Sequence, residues 1–159
     1  MAIGEQTYKE LRDLALKASP AEFGMSPDES KVIAYGILME TGYPKATVTL
    51  TSYVSGDASL YFSMGGGIIG GIGHESVRIA AKKFVDSAQR FLTNMNQASE
   101  FPSPAVGKTR FYVITNRGIY GSVEFLENDL GNRKSAFSPL FYDGQNVISE
   151  IRLNQRKTP

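Results

Sequence analysis

Apolar positions recur at helical spacing in some stretches and alternate strictly in others, and these two periods divide the chain into elements. Tyr8, Leu11, Ala15 and Ala18 stand at helical intervals with Leu14 beside them, and Thr7 and Glu10 have the spacing of a capping box. A helix is therefore predicted over 7–18, stopped by Ser19-Pro20. A second start signal follows: Ser26 as N-cap, Pro27 at the first helical position, and Asp28 and Glu29 in the first turn. That helix would turn Val32, Ile33, Gly36 and Ile37 inward and stop at Thr41-Gly42, shortly before Pro44.

The period then changes to two. Over 46–54, Val48, Leu50 and Val54 fall on one face and Thr47, Thr49 and Thr51 on the other, predicting a strand with one buried face. Ser55-Gly56-Asp57 turns the chain, and a returning strand carries Leu60, Phe62 and Met64 inward. The strongest helix signal comes next. Val77, Ala81, Phe84, Ala88, Phe91 and Met95 form one apolar seam, ended by Asn94, Asn96 and the Pro102/Pro104 pair.

Residues 109–125 read as a hairpin around a three-residue loop, Asn116-Arg117-Gly118, with glycine where a positive φ is wanted. Pairing Thr115 with Ile119 would gather Phe111, Val113, Ile119, Val123 and Phe125 on one face, and Tyr112, Ile114, Tyr120 and Glu124 on the other. Residues 127–135 read as a polar loop. Over 144–153 both periods fit. Val147, Ile148 and Ile151 share a helical face, while Val147, Ile151 and Leu153 alternate; Asp143 as an N-cap favours the helix.

Together these elements predict an α+β domain: an antiparallel sheet built from two hairpins, a long helix packed on one face and the N-terminal helices on the other. The 159 residues suit one domain over 1–159, with helix 7–18 as an appendage, a core over 27–154 and a loose tail at 155–159. From about residue 27 to 154 this order of elements is similar to that of roadblock (dynein-light-chain-like) and profilin-like domains. It departs from them in the extra N-terminal helix and a long glycine loop. The resemblance implies a non-enzymatic protein that dimerises through the long helix and the neighbouring strand edge.

Charge narrows the partners. Seventeen basic and sixteen acidic side chains nearly cancel, which offers nothing to nucleic acid or an anionic membrane surface. The chain has no cysteine, hence no disulfide framework and no thiol chemistry, and a single histidine, His74, cannot supply a histidine metal cluster. Charges interrupt the apolar residues of the N-terminal stretch, unlike a secretory signal, and no run approaches the roughly 20 apolar residues of a membrane span. A cytoplasmic location is the expectation, with no cofactor.

The one stretch with the look of a motif is 64–76, MGGGIIGGIGHES, which holds six of the sixteen glycines. Gly65, Gly67 and Gly70 match the spacing of the dinucleotide fingerprint. The context fails, because the preceding strand is the second arm of a hairpin and position 90, where an acid should end a second strand, is an arginine inside the long helix. No Gly-Lys-Ser/Thr closes the run as in a P-loop. Ile68, Ile69 and Ile72 do not belong in a freely solvated loop, so they pack on the core or meet a partner or ligand. Arg78, Lys82, Lys83 and Arg90 alternate with Glu75 and Asp86 as on a solvated, salt-bridged face.

Two functions are carried forward. The first is a protein-interaction, scaffold or regulatory domain without catalytic residues, forming a homodimer or meeting another protein through Ile68, Ile69 and Ile72. The alternative is a small-molecule or anion-binding domain, or a minor enzyme, built on Gly65, Gly66, Gly67, Gly70, Gly71, Gly73, His74 and Arg78.

Overall fold

The structure, a computed structural model, describes residues 5–24 and 30–157. Its centre is β1, Ala34–Gly42, in which every residue is buried. β1 lies between β2 (Thr47–Tyr53) and β6 (Lys108–Thr115), antiparallel to both, with Leu38 opposite Thr51 on one side and Tyr112 on the other. β3 (Ala58–Phe62) and β4 (Gly67–Ile68) extend the sheet past β2. β7 (Gly118–Gly121) and β5 (Asn96–Gln97) extend it past β6, giving the order β4-β3-β2-β1-β6-β7-β5. The two-residue β8 (Phe125–Leu126) pairs with the start of β6.

Helices cover both faces. On one lie α2 (Glu75–Phe91) and α4 (Ser138–Lys157), over Ile37, Met39, Leu50, Leu60, Phe111 and Val113. On the other lies α1 (Glu5–Leu16), which sets Ala15 and Leu16 against Tyr35, Leu38, Tyr112 and Ile114. A short α3 (Glu127–Gly131) leads into α4. The α+β class, the antiparallel sheet and the long helix are therefore as expected. Among the described residues no helix is long and apolar enough to cross a membrane.

The largest departure is β1 itself. The sequence predicts a helix there, on start signals at Ser26, Pro27, Asp28 and Glu29 that lie outside the described residues. Helices on both sides leave β1 no polar face, so its sequence reads as a continuous apolar run rather than an alternation. Among the described residues, α1 and a 3-10 turn at Pro20–Phe23 are the N-terminal helical elements. The same double cover corrects β2. Thr49 and Thr51, expected on an open face, are as buried as Leu50.

Smaller corrections follow from local geometry. α1 begins at Glu5, so Thr7 lies within it rather than capping it, and Leu14 faces solvent. The second hairpin closes one residue tighter than expected, with Thr115 opposite Gly118. That slip exchanges the faces of two side chains: Ile119 joins Ile114 on the α1 side and Tyr120 joins Val113 on the other. Gly118 does carry the positive φ, at 101°. Val123 and Met64, expected inside, are exposed. The stretch read as a polar loop contains α3, held by the fully buried Leu130.

The apolar seam of α2 is where the sequence puts it from Val77 to Phe91, but the helix ends there, and Met95, expected on the seam, follows a 3-10 turn in extended backbone. Val77, Ala81, Phe84 and Ala88 are all at 1% exposure or less. α4 resolves the two-period ambiguity as a helix, starting at Ser138 rather than at Asp143. Val147 and Ile151 are buried while Leu153 is exposed, which alternation would not allow. Asp143 instead ties α4 to α2, accepting a hydrogen bond from Ser87 Oγ with Lys83 Nζ 3.8 Å away.

Candidate functional site

The glycine stretch does three jobs in turn. Gly65 and Gly66 form the tight turn between β3 and β4, where Gly66 (φ 88°) adopts a conformation other residues rarely reach. Gly67 and Ile68 are β4, the outermost strand on this side of the sheet. Gly70 then leads into a 3-10 turn, Gly71–Gly73, with His74 at the N-cap of α2 making no side-chain capping bond. Gly71 is set by close packing. A Cβ there would stand 2.6 Å from Val77 Cγ1 and 3.2 Å from the Ala58 carbonyl, so only glycine lets the turn dock on α2 and β3.

Three backbone amides of this stretch are turned to separate acceptors within the chain. The Gly65 amide donates to the Phe62 carbonyl at 2.9 Å, the Gly70 amide to Ser59 Oγ at 3.3 Å and the His74 amide to the Gly71 carbonyl at 3.1 Å. An anion cradle needs such groups aimed at the ligand. Glu75 in the first turn of α2 opposes an anion further. The Arg78 stem lies against Gly56 in the β2–β3 turn, while His74 lines a cleft with Ile68, Ile69 and Val77.

That cleft is the feature the loop does build. It encloses about 190 Å³ between Ile68, Ile69, Gly70, Gly71, His74 and Val77 on one wall and Ile151, Asn154 and Gln155 of α4 on the other. Ile68 is half-buried and Ile69 is 56% exposed at its rim. Asn154 reaches across to α2, donating to Ser76 Oγ at 2.8 Å. The side chain of Ile72 lies outside the described ones. The wall formed by α4 was not foreseeable, because its contribution depends on how the C-terminal helix crosses the sheet.

A second cluster lies outside the residues that the sequence analysis singled out as a site. Glu40, in the middle of β1, is wholly buried on the α1 face, where Arg12 of α1 grips both its oxygens at 2.8 Å. Thr49 Oγ1 donates to the same carboxylate at 2.6 Å, and Tyr8 Oη bonds Thr49 Oγ1 at 2.7 Å. Arg12 Nη2 also donates to the Phe101 carbonyl at 2.7 Å, and its guanidinium lies 5.9 Å from the centre of the Tyr112 ring. Burial alone would lower the Arg12 pKa, but the hydrogen bonds and charge of Glu40 hold it above its ordinary value. Burial, and then the Glu40 charge, push the Tyr8 phenol up. The network is saturated with internal partners and reads as an anchor for α1 rather than as reacting chemistry.

Arg110 stands directly opposite Glu40 across β1 and β6, yet its Nη2 bonds Glu124 at 3.2 Å. Among the described residues no group of three or more His, Cys, Asp or Glu side chains is placed to hold a metal ion. No family model matches the chain, and neither the curated proteins nor the solved structures compared with it include a match.

Proposed function

We propose that the chain is a protein-interaction domain whose recognition surface is the cleft between the glycine loop and α4, and that its first partner is a second copy of itself. The observation that carries this is the size and lining of the cleft. About 190 Å³ walled by Ile68, Ile69, Val77 and Ile151 suits one aliphatic side chain. It falls below the roughly 300–1,000 Å³ of pockets that enclose a cofactor or drug-sized ligand. β4 ends the sheet beside it, leaving an edge to which a partner strand can add while placing a side chain in the cleft. A two-fold contact brings the same edge and the same cleft from each copy.

The expected resemblance to roadblock and profilin-like domains was read on an element order whose first helix is β1 here; it implies a dimer through the long helix and the neighbouring strand edge. Here α4 ties itself to α2 through Ser87–Asp143 and Ser76–Asn154, which leaves the strand edge as the freer surface. The small-molecule reading draws on one feature, the polar groups of His74 and Asn154 at the cleft mouth. Its ligand would be a short branched acyl group with a hydrogen-bonding head.

Light scattering at micromolar concentration tests the proposal. A dimer is expected, and replacing both Ile68 and Ile69 with Asp should give a monomer with the parent's circular dichroism. A parent that stays monomeric at high concentration overturns the self-association. Stabilisation by short-chain acyl ligands in a thermal shift, lost on Ile151→Asp, would favour the small-molecule reading.

A further inference from the structure

The outer edge of β4 sets how two copies can join. We propose, resting on the self-association above, that the two β4 strands pair antiparallel about a two-fold axis at Ile68, so that Gly67 of each copy faces Ile69 of the other. Residues of an antiparallel strand alternate between turning their amide and carbonyl toward one neighbour and away from it. The Phe62 amide donates to the Gly66 carbonyl at 3.2 Å, and Leu60 stands opposite Ile68. The Gly70 amide then donates to Ser59 Oγ at 3.3 Å. Gly66, Ile68 and Gly70 therefore turn toward β3, and the amides and carbonyls of Gly67 and Ile69 point out of the sheet edge. Both of these residues are exposed.

One register uses all of these groups. With the axis at Ile68, the amide and carbonyl of Gly67 meet the carbonyl and amide of Ile69 in the other copy, and the symmetry repeats the exchange. An axis at Gly67 would set Ile69 against Gly65, whose amide closes the turn onto Phe62. An axis at Ile69 would set Gly67 against Gly71, which begins a 3-10 turn. The side chains agree with the backbone. Ile69, 56% exposed, is laid across a glycine, which has no Cβ to obstruct it. Ile68 packs on the core under α2 and α4, so Ile68 of the other copy arrives on that face, beside the cleft. The far edge of the sheet offers no such match, because β5 carries the exposed Asn96 and Gln97, and Gln97 Nε2 donates to the Arg117 carbonyl at 2.8 Å. β4 has neither the charge nor the proline that blocks strand addition.

The chain has no cysteine, so single cysteines report the register directly. Opposite residues that exchange no hydrogen bonds have Cα atoms about 4.5 Å apart, inside the roughly 4.4–6.8 Å that a disulfide spans. The two Ile69 positions would stand about 8–9 Å apart, beyond that reach. Ile68→Cys at micromolar concentration in a glutathione buffer should therefore run as a disulfide-linked dimer, and Ile69→Cys should link about ten-fold less. Gly67→Cys and Ile69→Cys chains, mixed and left to exchange, should link to each other where neither links to itself. That mixture decides the register where Ile68→Cys loses the dimer. With a parent that is dimeric by light scattering, an Ile68→Cys dimer that stays unlinked overturns the register and leaves the self-association standing. So does Ile69→Cys linking to itself, or a mixture that fails to link. A monomeric parent overturns both.

Discussion

Gly144 offers a measurement in which two physical effects of opposite sign compete at one atom. It lies inside α4, six residues after the helix begins, where a glycine costs about 1 kcal/mol relative to alanine. On a solvated helix, Gly144→Ala would therefore stabilise. Here the added Cβ would stand 2.6 Å from Met39 Sδ, 2.8 Å from Met39 Cε and 2.9 Å from Phe84 Cζ. The methionine end can bend aside, but the phenyl ring is rigid and fully buried, at the crossing of α4 over β1 and α2. Overpacking of this kind costs about 1–3 kcal/mol, so the net change should be a loss of about 0–2 kcal/mol. Gly144→Val adds two methyls to the same contact and forfeits most of the propensity gain, so it should lose more. In a Met39→Ala background the methionine part of the clash is relieved while the Phe84 contact stays, so Gly144→Ala should cost less there than in the parent. Urea unfolding followed by circular dichroism, with an unchanged m value, reads the parent and all four variants. Gly144→Ala more stable than the parent by the full 1 kcal/mol or so would refute the reasoning, since α4 would then not press on β1 there.

Two further outcomes can be checked on the same material. Phe84→Ala should lose about 3–5 kcal/mol of stability, because the ring is fully buried between α2, α4 and β1; Lys83→Ala, whose 67%-exposed side chain lies 3.8 Å from Asp143, should stay within about 0.5 kcal/mol of the parent. Alkali should destabilise the fold in a defined window. The Tyr43 phenol is pushed up to about 12 by burial and then by the hydrogen bond it donates to Glu127 and that residue's charge. Tyr53 is raised as well, burial again being the main cause. Unfolded tyrosine titrates near 10, so between about pH 10 and 12 the folded chain holds more protons than the unfolded one. That stability is complete below pH 10 and lost as pH rises through the folded values. Melting temperature should fall across this range and fall less in Tyr43→Phe; equal slopes would remove Tyr43 as a cause.

What could be read from the sequence depended on whether an element has a solvent side. α2 exposes one face, so its seam from Val77 to Ala88 was legible residue by residue. β1 exposes none, and its run of apolar side chains carries no period that distinguishes strand from buried helix. α4 sits between these cases. Its inward residues Val147 and Ile151 satisfied both periods, and only the exposure of Leu153 separates them. Gly144 could have been the clue. A glycine inside a helix, without a positive φ to require it, signals that another element comes too close for a side chain.

The glycine loop and the Glu40 cluster failed to reveal themselves for opposite reasons. The loop was conspicuous because it is local, but its local pattern suggested a phosphate cradle, and what decides its chemistry is distant: the wall of α4 and the inward bonds of its amides. The cluster is assembled entirely from distant parts. Tyr8 and Arg12 come from α1, Glu40 from β1 and Thr49 from β2, and 28 residues separate the two halves of the ion pair. Each of these residues alone resembles an ordinary surface position. A charged residue in an otherwise apolar run was the one visible sign, for Glu40 follows Ile37, Leu38 and Met39 directly. In a strand covered on both sides such a residue has no water to reach, so it must find its partner on the covering helix. That requirement makes α1 part of the fold rather than an appendage. The same helix also sets Tyr8 on Tyr61 and places Ala15 and Leu16 against Tyr35, Leu38, Tyr112 and Ile114, so the ion pair completes an apolar attachment rather than replacing it.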